Sequence, residues 1–232
     1  MGGNVTNGEA HYHFAAMPDR EREKREAAGA AAALVRDGDM VGLGTGTTVA
    51  YLLPALAARH LEIRAVATSP ATETTARELG IPVEPFEGIA RLDIAIDGAD
   101  QVDPRGWLVK GGGGAHTREK VVAAAAERFV VIVSADKVVE ALTPPIPLEL
   151  LTFGLAATLA ALGGTVRMRE APPSPDGGLI ADYLSPFDDP LELALRLDAT
   201  PGVVGHGIFA PALTSDVMIA SGGQVEHRRL AR

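Results

Sequence analysis

The sequence predicts an α/β protein built on a mostly parallel sheet flanked by helices, with a smaller α/β unit set into its second half. Three observations carry this. Short, wholly apolar segments occur, such as MVGL at 40–43 and FVVIV at 129–133; helical stretches separate them; and a proline-dense break, Thr143-Pro144-Pro145-Ile146-Pro147, precedes a change of pattern. Strands alternating with helices require crossover connections, which make neighbouring strands parallel.

Taken in order, Asp19 to Val35 (DREREKREAAGAAAALV) reads as a helix with a charged opening and an Ala-rich second half, stopped by Asp37-Gly38-Asp39. Met40 to Leu43 is a strand. Thr47 to His60 places Val49, Leu52, Leu53 and Leu56 along one helical face. Ile63 to Ala67 is a strand, Ala71 to Leu79 a helix closed by Gly80, Ile81 to Val83 another short strand, and LDIAI at 92–96 a buried one. After a loop at 97–106 come Trp107-Leu108-Val109, a glycine run, a helix from Arg118 to Glu127 and the FVVIV strand.

The prolines at 144, 145 and 147 read as an extended linker. Beyond them lie a helix from about Leu150 to Leu162, strand TVRMR, a Pro-rich loop and strand GLIADYL. A helix from Pro190 to Leu197 and strand GVVGHGIF follow, and a strand at Asp216 to Ala220 returns to the main sheet. The order predicts a flexible tail at 1–18, a Rossmann-like domain at 19–143 plus 208–232, and a small ferredoxin-like α/β domain at 144–207.

Composition narrows the function classes. At 47% hydrophobic and 22% charged the chain is globular rather than disordered. Its net charge of −9 and 4% aromatic content argue against a nucleic-acid surface, which needs clustered cations and stacking rings. A small anion needs only local N–H groups and one or two cations. With no cysteine, disulfides, thiolate nucleophiles and Cys-held metals are ruled out. The polar N-terminus lacks a basic segment followed by an apolar one, and no apolar run approaches a membrane span, so a cytoplasmic protein is expected. Met1 to Thr6 matches loose myristoylation and glycosylation patterns without their context, and His11 with His13 reads as a tail pair rather than a metal site.

Three glycine-bearing loops follow strands. Gly42-Leu43-Gly44-Thr45-Gly46-Thr47-Thr48 could cradle an anion at a helix N-terminus, or be a tight turn with capping hydroxyls. It fails the dinucleotide fingerprint, because Thr47 or Val49 stands at the third glycine position and Thr68-Ser69 where an acid belongs. Asp97-Gly98-Ala99-Asp100 sits at a strand's carboxyl end; the pair could bind magnesium, hold sugar hydroxyls, shuttle a proton, or form Asx turns. Lys110-Gly111-Gly112-Gly113-Gly114 sets a cation beside a backbone that a ligand can approach, and Thr117-Arg118-Glu119-Lys120 opens the next helix, with Thr117 expected as its cap.

GLGTGTT, TSPAT, DGAD, KGGGGAHTREK and SADK, in this order, resemble ribose-5-phosphate isomerase of the A type from about Lys24 to the end. The resemblance implies an aldose–ketose isomerase without metal or cofactor, acting on a pentose 5-phosphate as a homodimer or homotetramer, with neither nucleic-acid nor membrane partners. Glu119 then matches the general base, Asp97 and Asp100 the residues that hold sugar oxygens and move their protons, and Lys110 the cation beside the enediolate. Thr45, Gly46, Thr47 and Thr48 match the substrate loop. Lys24 and Lys137 match basic residues near the phosphate. Gly98, Ala99, Gly111, Gly112 and Gly113 line the site. Rival enzymes of related architecture are amino-sugar phosphate deaminases and CoA transferases, and a non-catalytic sugar-phosphate sensor would need a DNA-binding segment that the short tail has no room for.

Two positions depart from that family's pattern. Gln101 stands where Glu is usual, and His116 where an aliphatic residue is usual, beside the expected base. The helix N-terminus and Lys110 both favour ionised Glu119, which keeps it deprotonated but weakens it as a base.

Overall fold

A computed structural model describes residues 19–163 and 165–230; the tail with Met1 to Thr6, His11 and His13 lies outside the described residues. In chain order the elements begin with α1 (Asp19–Ala32), β1 (Met40–Leu43), α2 (Val49–Ala57), β2 (Arg64–Ala67) and α3 (Pro70–Glu78). β3 (Leu92–Gly98), β4 (Gln101–Val102), β5 (Leu108–Val109), α4 (His116–Ala125) and β6 (Ala126–Ser134) follow. The second half holds β7 (Ile146–Leu150), α5 (Leu155–Leu162), β8 (Val166–Met168), β9 (Leu179–Tyr183), α6 (Pro190–Asp198), β10 (Val203–His206), β11 (Ile208–Phe209), β12 (Asp216–Ser221) and β13 (Gln224–Arg229).

The main sheet has the order β13-β12-β6-β3-β1-β2, parallel throughout except for β13. Its central strands are apolar on both faces because both faces are covered. Ala27, Ala28, Ala31 and Ala32 of α1 and Leu52, Leu53 and Leu56 of α2 pack on one side. Val122 and Ala123 of α4 pack with Phe129, Val131 and Phe209 on the other. Alanine on α1 removes the bulk that would hold the helix away from the sheet.

The second half forms a four-stranded sheet, β10-β7-β9-β8, with every neighbour antiparallel. The chain order strand-helix-strand-strand-helix-strand on that layout is ferredoxin-like. Ile146, Leu148 and Leu150 of β7 bury against Leu162, Leu193 and Leu197 from the two helices. A third sheet, β11-β5-β4, takes β4 and β5 from between β3 and β6 and β11 from between β10 and β12, and carries Lys110 just beyond β5.

The structure corrects several expectations. The proline segment is not a free linker: Ile146 to Leu150 is the inner strand β7, and the helix expected from Leu150 begins at Leu155. Pro147 is tolerated there because its carbonyl accepts the Gly207 N–H at 2.7 Å, so its missing N–H faces the same side, past the last paired residues of β10 and β7. GVVGHGIF breaks at Gly207, which gives β10 to one sheet and β11 to another, since Gly207 O must accept the Lys110 N–H at 2.8 Å. Ile81 to Val83 makes only a single bridge, Ala65 with Val83. Thr117 is not the cap: α4 starts at His116 behind Ala115, and Thr117 lies within the first turn. β13 was not expected at all, as QVEHRR is an exposed edge strand without an apolar face.

Candidate active site

The site is built at the carboxyl ends of β1, β3 and β6, where open parallel sheets leave a crevice. A cavity of about 410 Å³ opens there. Its walls are the 45–48 loop after β1, residues 98–100 after β3, the 110–113 loop after β5, Glu119 from α4, Lys137 after β6 and Lys24 from α1. Every expected site residue lines it except Asp97, which stands one layer behind.

Lys110 organises the floor. Its Nζ lies 2.8 Å from Asp97 Oδ2, 3.1 Å from Glu119 Oε2 and 2.5 Å from the Gly98 carbonyl, and all three side chains are almost fully buried. Burial alone would lower the lysine's pKa, but the charges of Asp97 and then Glu119 outweigh it and hold the pKa above the ordinary value. Lys110 is therefore a permanent cation.

The two carboxylates that flank it differ in how they are satisfied. Asp97 Oδ1 accepts the N–H of Gly98 at 2.7 Å and of Thr45 at 3.1 Å. Glu119 Oε2 has the ion pair but no aligned hydrogen bond. Burial raises both pKa values, and for Glu119 the Asp97 charge adds to it, pushing the group up to about 7 against the pull of Lys110. Because Asp97 receives two N–H bonds besides Lys110, Glu119 is the member of the pair that takes up the proton near neutrality. The attenuation expected from the helix N-terminus and Lys110 is thus overcome by burial.

Gly44 explains why the first loop begins as it does. A Cβ there would stand 2.0 Å from the Asp97 carboxyl carbon, so a larger residue would displace the aspartate. Thr72 Oγ1 donates to the Gly44 carbonyl at 2.9 Å, and Thr45 Oγ1 meets Thr68 Oγ1 at 2.7 Å. The TSPAT segment therefore fixes the loop from behind. Gly111 holds φ +113°, and a Cβ would meet His116 and Pro147 within 3 Å. Asp100, exposed at the rim, accepts the Gly112 N–H at 2.8 Å.

Three further cations, Arg20, Lys24 and Lys137, line the cavity. Lys24 pairs with Glu21 at 2.8 Å, and Arg20 with Asp136 at 3.3 Å, beside Lys137. Arg20, Ser134 and Asp136 line the cavity and were missed from the sequence. SADK held the signal for two of them, since Ser134 ends a parallel strand; Arg20 carried none, being one charge in a charged helix. Among the described residues no three His, Asp or Glu side chains converge as a metal site.

Both departures have a structural account. Gln101 donates to the Thr143 carbonyl at 2.8 Å and accepts the Thr143 N–H at 2.9 Å, a reciprocal pair that a carboxylate could not make, and it lies outside the cavity. His116 is fully buried behind Gly111, burial holds its pKa down to about 3, and the Gly205 backbone approaches its ring without the alignment a hydrogen bond needs. It stays neutral and does not face the cavity.

The family model for ribose 5-phosphate isomerase A (phosphoriboisomerase A) matches residues 64–224. The chain belongs to the ribose 5-phosphate isomerase A family. It is 44% identical to ribose-5-phosphate isomerase A of Chloroflexus aurantiacus, over 89% of this chain and 93% of that one. It is 42% identical to the Sphingopyxis alaskensis protein of that name, over 89% and 95%. The solved ribose 5-phosphate isomerase A of Methanocaldococcus jannaschii superposes with a TM-score of 0.85 at 33% identity, covering 90% of this chain and 99% of that one. The parallel sheet and the ferredoxin-like insertion are therefore this family's architecture.

Proposed function

We propose that the chain interconverts D-ribose 5-phosphate and D-ribulose 5-phosphate through an enediolate, in the non-oxidative branch of the pentose phosphate pathway. Family membership supports the reaction. The observation that carries the mechanism is a buried glutamate with a pKa of about 7, ion-paired to a permanent lysine cation in a cavity also lined by Arg20, Lys24 and Lys137.

Glu119 takes the proton from C2 of the open-chain aldose and returns it to C1. A base whose pKa lies near the working pH is ionised enough to accept a proton and basic enough to hold it. As the C2 proton leaves, negative charge builds on the C1 oxygen, and Lys110 stands where it can be stabilised in a water-poor setting. The hydroxyl proton passes from O2 to O1, and Asp100, on the rim, is the carboxylate placed to relay it and to open the ring. Asp97 acts through Lys110 and Thr45, holding both in place. Lys24, Lys137 and Arg20, with the N–H and hydroxyl groups of Thr45 to Thr48, receive the phosphate.

Purified, metal-stripped protein incubated with ribose 5-phosphate should form the ketose. Glu119→Gln should cut turnover by about a thousandfold or more while substrate still binds; a near-normal rate would remove Glu119 as the base. Assembly as a dimer or tetramer, a cytoplasmic location, and domains at 19–143 plus 208–232 and at 144–207 belong to the same proposal; sedimentation, fractionation and limited proteolysis test them.

A further inference from the structure

Arg169, one residue beyond β8, reaches out of the four-stranded sheet to the back of the 110–113 loop. Its Nη1 donates to two successive carbonyls, Gly111 at 2.9 Å and Gly112 at 3.0 Å. The rest of the guanidinium is fixed from the opposite side by the buried Asp182 of β9, through Nε at 3.1 Å and Nη2 at 2.6 Å. Five donors in a rigid plane are thus divided between one carboxylate and two peptide oxygens. That division needs a planar fork, and an ammonium cannot reproduce it.

The direction of the grip matters because a trans peptide is planar and its N–H points opposite to its C=O. Drawing the Gly111 oxygen backward turns the Gly112 N–H forward, and that N–H does meet Asp100 at the cavity rim, 2.8 Å away. Drawing the Gly112 oxygen backward turns the Gly113 N–H the same way, and Gly112 and Gly113 both line the cavity. A run of four glycines has no side chains to define these peptide planes, and its conformational freedom is large.

We propose that Arg169, anchored by Asp182, is a positioning residue for the isomerisation: its hold on the Gly111 and Gly112 carbonyls fixes two consecutive peptide planes, one whose Gly112 N–H holds Asp100 at the rim and one that turns the Gly113 N–H toward the sugar oxygens on which negative charge develops. The proposal rests on the isomerase reading above. The insertion then has a part in the chemistry without any of its residues touching substrate, and the Asp182 charge balances Arg169, so that the loop gains orientation rather than net charge. Asp100 and the Gly113 N–H are thereby set before substrate arrives, which is what makes such groups effective.

The test compares Arg169→Lys and Arg169→Ala with the wild type in steady-state kinetics, pH profile and amide exchange of the 110–114 segment. Arg169→Lys keeps the charge and aliphatic stem and decides the matter if the alanine variant does not fold. The expected result is kcat lower by about ten- to a hundred-fold with KM within about threefold. The low-pH limb should not move, because Arg169 does not contact Glu119, and exchange at 110–114 should be faster. Wild-type kcat in a folded Arg169→Lys protein, or a loss expressed only in KM, would overturn the proposal. A wild-type protein unable to isomerise ribose 5-phosphate would instead refute the isomerase reading, and unchanged exchange at 110–114 would still count against the clamp.

Discussion

Two carboxylates beside one ammonium carry different duties because their remaining oxygens are treated differently. Asp97 is tied to two backbone N–H groups, whereas one Glu119 oxygen is buried without an aligned donor. Activity should therefore rise with pH along a limb centred near 7 as Glu119 ionises, above the roughly 6 at which a sugar phosphate titrates. A pH series of kcat/KM checks this, and a limb near 4.5 would mean that burial does not raise the group. The same shift has a consequence for stability. A folded-state pKa raised from 4.5 to about 7 means the fold prefers protonated Glu119, a contribution fully present below 4.5 and lost as pH rises through 7. Glu119→Gln, which cannot ionise, should melt several degrees higher than the wild type at pH 8, with the gap closing toward pH 4. Calorimetry decides the sign. Arg20→Ala should raise KM by about three- to ten-fold with kcat nearly unchanged, if its cation receives the phosphate as proposed; a fall in kcat alone would place Arg20 elsewhere in the cycle.

At the scale of elements, the loop after β1 owes its shape to α3. Thr72 is buried and donates to the Gly44 carbonyl, so Thr72→Val leaves that carbonyl unpaired. The expected cost is about 1–2 kcal/mol in denaturant unfolding, with KM several-fold higher because the 45–48 segment loosens. An unchanged KM would show that the loop holds itself. Elements with a strong pattern were legible before the fold was known: β1 is wholly apolar, β3 and β6 carry the buried apolar runs at 94–96 and 129–133, and α2 carries its apolar stripe. β7 was not, because prolines in sequence signal a linker, and only the side from which Gly207 donates shows that the missing N–H leaves no gap in the ladder. β13 was not, because an exposed edge strand is defined by its pairing with β12 rather than by its own residues.

Across the whole molecule, a net charge of −9 coexists with the site proposed for a phosphorylated sugar. Arg20, Lys24 and Lys137 bring positive charge to the cavity wall, against the overall balance. Exposed charges are screened over about 8–10 Å at physiological salt, so KM should rise as ionic strength increases while kcat, assigned in the proposal to buried Glu119 and Lys110, stays nearly constant. Kinetics in graded salt test this, and a KM indifferent to salt would shift the binding energy onto the backbone N–H groups.

The sequence by itself determined the alternation of strands and helices, the three glycine-bearing loops and the residue types that a proton transfer beside a phosphate requires, because these are local properties of neighbouring residues. The tertiary structure decided what depends on distance through space. It placed Asp97 behind Lys110 rather than on the cavity wall, raised Glu119 to about 7 by burying it, and brought Arg20 to the cavity wall. It also brought Arg169 to the glycine loop from 57 residues away. Burial, field and peptide orientation arise only once segments remote in sequence are packed against one another, and no local pattern encodes them.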